Sequence, residues 1–216
     1  DRVIETNVRP FVVRARFARA LMLNKSGKLS DAKLASELDE LRMMWRGDDA
    51  ELEILTKLAE LRLKQDDILS ALRVMHVATL NFPHDDGAHA LGARMPDIFA
   101  SFFIDGYADK IPAVQALAVY HDFQDLTPIG RRGDELIRHL AERLVSVDLL
   151  PQAAELLSYQ IEKRLVGGVA KAQVAARLAT VYLLDEKPES ALKAIRSTNQ
   201  NQLPEDLDLQ RRLIEA

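Results

Sequence analysis

One stretch limits what this chain can become: residues 51–83, ELEILTKLAELRLKQDDILSALRVMHVATLNFP. Leu55, Leu58, Ala59 and Arg62 share one face at helical spacing. Ile68, Ala71, Leu72, Met75 and Ala78 share another. Between them lies Lys64-Gln65-Asp66-Asp67, where an aspartate can accept from the free N–H groups of the second helix. Pro83 cannot continue that helix. The stretch predicts two amphipathic helices folded back on each other. Such a hairpin buries its apolar face only against further hairpins, so the rest of the chain is read for repeats.

Taking Ala71 as an anchor, second-helix alanines recur as Ala32, Ala71, Ala113, Ala153 and Ala191, at intervals of 38 to 42 residues. At the eighth position of the same register stand Ala20, Ala59, Ser101, Ala141 and Ala179, all small. The twenty-fourth position holds Ser36, Met75, Leu117, Leu157 and Ile195. Pro112, Pro151 and Pro188 fall just before three of the anchors, in the first helical turn, where a missing N–H costs nothing. Small residues belong where two helices cross closely. The expected helices run near 10–25, 30–45, 50–64, 67–81, 88–104, 111–124, 133–147, 151–164, 169–184, 188–197 and 205–216, with breakers at 84–87, 127–133 and 166–171.

The register resembles the tetratricopeptide repeat (TPR). Leu58, Ala59, Ala71, Met75, Ala78 and Pro83 stand at that motif's apolar, small and proline positions, while Arg62 departs from it. The period here is longer than the ~34 residues usual for that repeat, and its fourth position never carries an aromatic. The resemblance covers nearly the whole chain and implies an all-α, right-handed α-solenoid of about five antiparallel helix pairs, a TPR-like superhelix. The repeats are placed near 13–45, 52–84, 94–126, 134–166 and 172–204 within a single domain over 1–216, with a further helix begun at 205–216. The abrupt ends read as an excised piece of a longer protein. A HEAT-like array of helix pairs is the structural alternative.

The residue budget fits. Of 216 residues, 48% are hydrophobic and only 6% aromatic, and period-2 alternation of β-branched residues is scarce. With 29 basic against 33 acidic residues, the net charge of −4 disfavours a non-specific nucleic-acid binder, which gains affinity by neutralising phosphates. Cysteine is absent, which removes disulfides, thiolate metal sites and cysteine nucleophiles. No apolar run reaches ~18 residues, so no transmembrane helix is expected. The chain reads as a bacterial-like soluble domain of cytoplasm or periplasm.

Several clusters invite chemistry. His84, Asp85, Asp86 and His89 are metal-ligand types, but a capped helix start accounts for them. Gly130-Arg131-Arg132-Gly133 offers N–H groups and cations to a phosphate, which Asp134 and Glu135 would repel. His121 and His139 have no triad partners at defensible spacing. Residues 2–28 hold seven Lys/Arg, among them Arg9, Arg14, Arg16 and Arg19, against Glu5 alone, whereas residues 29–60 hold nine Asp/Glu against four Lys/Arg. That split predicts either a solvated face or an interaction surface.

In residues 95–107, Met95, Phe99, Phe102, Phe103 and Tyr107 cluster, with three of the seven phenylalanines. The resemblance implies a concave surface lined by first helices, which takes peptides. In this register it places Ile98, Phe102, Arg138, Glu142, Arg177 and Thr180 there as partner-binding residues. The charged clamp that some relatives use for a C-terminal carboxylate is missing, since Thr56 and Glu60 occupy its places. The implied function is a non-enzymatic protein–protein interaction scaffold that binds a partner's peptide or helix. It has no catalytic residue, metal or cofactor, no nucleic acid and no membrane contact from this segment. Self-association as a homo-oligomeric module of a larger protein is the alternative, and a helical-repeat RNA binder a more distant one.

Overall fold

The computed structural model describes residues 9–165, 167–198 and 202–216; for Arg9 and Pro10 only the backbone is described. Residues 2–8, Val166 and residues 199–201, which the expectations above also touch, lie outside these. Among the described residues there are eleven α-helices and no strand. They are α1 (Arg9–Lys25), α2 (Asp31–Met44), α3 (Asp49–Lys64), α4 (Ile68–Asn81), α5 (Asp86–Ile104), α6 (Ala113–Asp122), α7 (Arg131–Ser146), α8 (Leu150–Tyr159), α9 (Gly168–Leu184), α10 (Pro188–Arg196) and α11 (Glu205–Glu215). The chain divides into two compact units, Asp1–Phe99 and Ala100–Ala216, and the division falls within α5.

Five helix ends pass into one residue in the left-handed region. Gly27 (φ 73°), Asp66 (57°), Gly106 (81°), Asp148 (62°) and Glu186 (56°) recur every 38 to 42 residues. Four of these turns share one hydrogen-bond pattern. The N–H of Lys28, Asp67, Leu149 and Lys187 reaches back to the carbonyl of Leu23, Arg62, Leu144 and Tyr182, at 2.8–2.9 Å. That is the Schellman closure, which satisfies the free carbonyls at a helix end and reverses the chain. The next helix then starts on a side-chain cap or a proline. Asp67 Oδ1 accepts from Ser70 N at 3.3 Å, and Pro151 and Pro188 stand in the first turns of α8 and α10.

In the first unit, α1 packs on α2, α2 on α3 and α3 on α4. Ala20, Ala59 and Ala71 are fully buried where helices cross. Buried Glu51 closes the open end of the α3–α4 hairpin, accepting from Asn81 Nδ2 at 3.0 Å and from Gly47 N. The register of the first pair needs correction. Ala32 and Ser36 are exposed, because α2 begins at Asp31 and turns Leu34, Ala35, Leu38 and Leu41 inward. The basic and acidic segments meet internally: Arg14 pairs with Asp48 (3.2 Å), and Arg16 with Glu40 (3.4 Å) and Glu37 (3.8 Å).

In the second unit, α7–α8 and α9–α10 form consecutive pairs joined by α8–α9 packing, and α11 lies on α9 and α10. Ala141, Ala153, Ala179 and Ala191 are buried at the crossings. Arginine forks tie neighbouring pairs together through backbone carbonyls. Arg143 on α7 donates to Ala108 and Ile111, and Arg164 to Pro128. Arg211 on α11 is 3% exposed and donates to Ala172 O (3.1 Å), Ile195 O (2.7 Å), Thr198 Oγ1 (3.1 Å) and Thr198 O (3.3 Å). Where the expected helix 151–164 ends, α8 loosens into a π-turn over Gln160–Arg164. That turn aims Arg164 at the 127–128 carbonyls and Gln160 at Asp134, 2.9 Å away.

Two substitutions check this account. Glu186→Gly removes the cost of a left-handed L-residue, which exceeds the entropy that glycine adds to the unfolded chain. It should stabilise by about 0.5 kcal/mol, read as a raised Tm in thermal denaturation. Gly133→Ala places a methyl onto the Pro128 carbonyl and 2.8 Å from Arg164 Nη2. It should destabilise by about 2–3 kcal/mol, read by urea unfolding.

Candidate functional site

Two first helices in the second unit carry the same stripe. On α7 it is Arg138, Ala141, Glu142 and Val145, and on α9 Arg177, Thr180, Val181 and Leu184, each at i, i+3, i+4, i+7. The stripes flank a groove of about 290 Å³, floored by Leu157 of α8 and bounded by Gln210 of α11. Four of the six residues expected to face a partner, Arg138, Glu142, Arg177 and Thr180, thus line one groove.

The other two do not join them. Phe102 is 3% exposed and cannot present an open surface. Its ring meets Phe103 edge-on at 5.1 Å, and Phe103 meets Tyr120 at 6.4 Å, so the aromatic cluster is core. Met95 and Phe99 are buried as well. Ile98 is half-buried on α5 and does not line this groove.

The two arginines differ by what stands one turn away. Arg138 has Glu142 four residues on, with Nη1 3.1 Å from Oε1 and 3.2 Å from Oε2, and Glu135 at 3.8 Å. At the matching places around Arg177 stand Val181 and Val174. Burial holds the Arg177 guanidinium below its ordinary range; Glu142 opposes that shift and the like charge of Arg138 adds to it. Thr180 is exposed, and its hydroxyl donates to Ala176 O at 3.0 Å within its own helix.

Four of the other candidates are engaged by local structure. Asp85 Oδ1 accepts from Gly87 N (2.7 Å) and Ala88 N (3.2 Å), capping α5, and His89 Nε2 donates to Pro83 O at 2.8 Å. In the glycine–arginine loop, Arg132 donates to Ser101 Oγ (2.8 Å) and Asp134 accepts from Gln160. Among the described residues no three His, Cys, Asp or Glu side chains converge as metal ligands, and no helix is long and apolar enough to cross a membrane.

In the first unit, an open groove of about 600 Å³ is rimmed by Asp49, Glu53, Glu60 and Asp85, with Lys57 3.0 Å from Glu60. The expectations did not single it out. Its acids recur at i, i+4 and i+11 from Asp49 along one face of α3, a pattern visible in the sequence.

Arg177 and Arg211 make a paired test. Arg177→Met replaces a half-buried, unbonded cation with an apolar side chain and should change stability by less than about 1 kcal/mol. Arg211→Met removes four buried hydrogen bonds, to the carbonyls of Ala172, Ile195 and Thr198 and to Thr198 Oγ1, and should cost about 2–4 kcal/mol. Urea titrations of both variants read the difference directly.

No protein-family profile matches the chain, and no curated protein matches it. Three solved structures are similar to it at low scores. The crystal structure of the nearly identical TPR-like repeats of a Podosopora anserina putative kinesin light chain is 14% identical over 94% of this chain and 95% of that one, with a TM-score of 0.33. A point variant of the same repeats gives the same identity and score over 94% of each chain. BtubC (BKLC) from P. vanneervenii is 16% identical over 100% of this chain and 86% of that one, with a TM-score of 0.37. Superpositions at these scores carry no argument about ligand or arrangement. The chain's own geometry does: antiparallel pairs, repeated left-handed turns and small residues at the crossings make it a TPR-like helical repeat.

Proposed function

We propose that this chain is a non-enzymatic interaction scaffold that binds a peptide or helix of a partner protein in the α7–α9 groove. One observation carries the reading. Two successive first helices present matched stripes of polar and apolar side chains across an unfilled groove, with Leu184 exposed at its edge. An apolar groove with a few fixed polar groups is the surface that takes an amphipathic helix or an extended segment. Asp85, His89, Arg132 and Asp134 are taken up by local bonds, which favours the groove as the candidate site.

The absence of cysteine makes a clean test possible. Twelve-residue peptides are selected from a displayed random library on the full chain. A bulky maleimide is then attached at Thr180→Cys in the groove, or at Arg73→Cys on the exposed side of α4. Binding of the selected peptides should fall at least about tenfold with the Thr180 adduct and hold with the Arg73 adduct. Failure of the library to enrich, or equal loss at both positions, overturns the reading. Self-association through the groove would show instead as a concentration-dependent mass in sedimentation that the Thr180 adduct abolishes.

A further inference from the structure

Arg177 differs from the other half-buried or buried arginines among the described residues. Arg16 pairs with Glu37 and Glu40, Arg42 with Asp39, and Arg62 with Asp39 and Asp67. Arg138 holds Glu142, and Arg143, Arg164 and Arg211 hold backbone carbonyls. For Arg177 there is no hydrogen bond and no ion pair among the described residues, although it is half-buried in the groove wall. A guanidinium half-withdrawn from water without a bonded partner loses hydration, and the charge of Glu142, beyond bonding reach, offsets that loss only in part. Every comparable arginine among the described residues has an acceptor. Here the place one turn along, where α7 carries Glu142, is occupied by Val181.

Besides Arg177 the groove is lined by the apolar Val145, Leu157, Val181 and Leu184 and by the polar Arg138, Glu142, Thr180 and Gln210. We propose that the groove selects a partner segment bearing an aspartate or glutamate side chain, which accepts the Arg177 fork, beside an aliphatic side chain that lies on Val181 and Leu184. This rests on the groove reading above and names the chemistry it selects. Bidentate pairing of guanidinium with carboxylate gives both strength and direction, and a partly desolvated site strengthens it. A chain-terminal carboxylate fits less well. It needs several donors around one group, and Arg138, the other groove cation, is already held by Glu142 and Glu135. A side-chain carboxylate needs one fork, and of the two groove arginines Arg177 is the one without a bonded partner among the described residues. Glu142 sets the selectivity from the other side, because it repels a second acid placed near α7.

The probes are the peptides enriched from the displayed twelve-residue library on the full chain, each remade with a fluorescein label and with its acids changed to the matching amides. The enriched set should carry Asp or Glu within a few residues of Leu, Ile or Met. Affinity should fall about tenfold or more for Arg177→Gln or for the amide peptide, with no further loss when both changes are combined, and Arg177→Lys should recover part of it. Because Arg177 makes no internal bond, the Tm of Arg177→Gln should match the parent, which separates lost recognition from lost folding. Enriched peptides that bind in the groove but lack acids, or that bind Arg177→Gln as tightly as the parent, overturn this inference and leave the groove reading standing. Failure to enrich any peptide overturns both.

Discussion

The architecture depends on a reversal made five times. A helix ends, one residue takes a positive φ, and in four of the five turns two backbone bonds close over the last carbonyls. Without that closure, a first helix would have to leave its terminal carbonyls to water, and the second would leave at an undefined angle. With it, the two helices lie antiparallel and bring their smallest residues together. Gly27 and Gly106 occupy the left-handed position easily, whereas Asp66, Asp148 and Glu186 do so against the preference of an L-residue. The turn persists through these substitutions because the surrounding pair determines it.

The two units hold their pairs together by different chemistry. In the first, arginines and lysines meet carboxylates: Arg62 with Asp39, Lys64 with Asp31, Arg14 with Asp48. The bonds from Lys64 and Asn24 hold the Asp31 carboxyl below the usual range. In the second, arginine forks clasp backbone carbonyls, which have no countercharge. The forks add charge-assisted bonds to carbonyls of loops and helices, and removing one takes several such bonds at once. A carbonyl clasp therefore costs more to break than an exposed ion pair.

The groove follows from this arrangement. The stripes that start at Arg138 on α7 and at Arg177 on α9 both line the groove. Aliphatic positions on those stripes form walls, and the longer polar side chains stand at intervals along them. Arg138 and Arg177 are equivalent in the repeat, yet a single difference one turn away leaves one neutralised and the other open.

The helices and their order were legible in the sequence, because caps, prolines and helical spacing act over a few residues. The repeat was legible too, since a close crossing demands small side chains wherever it recurs. Four groove residues could be placed by carrying one hairpin's register onto the others. Three matters needed tertiary structure. Phe102 sits at a register position that would face a partner, but neighbouring aromatic rings draw it into the core. Ala32 matched the spacing in number, yet the start of α2 at Asp31 set which face turned inward. The basic first helix read as a surface, yet two of its arginines, Arg14 and Arg16, pair with acids up to 34 residues away. A face, a burial or an ion pair belongs to two segments at once, and spacing along one segment cannot specify it.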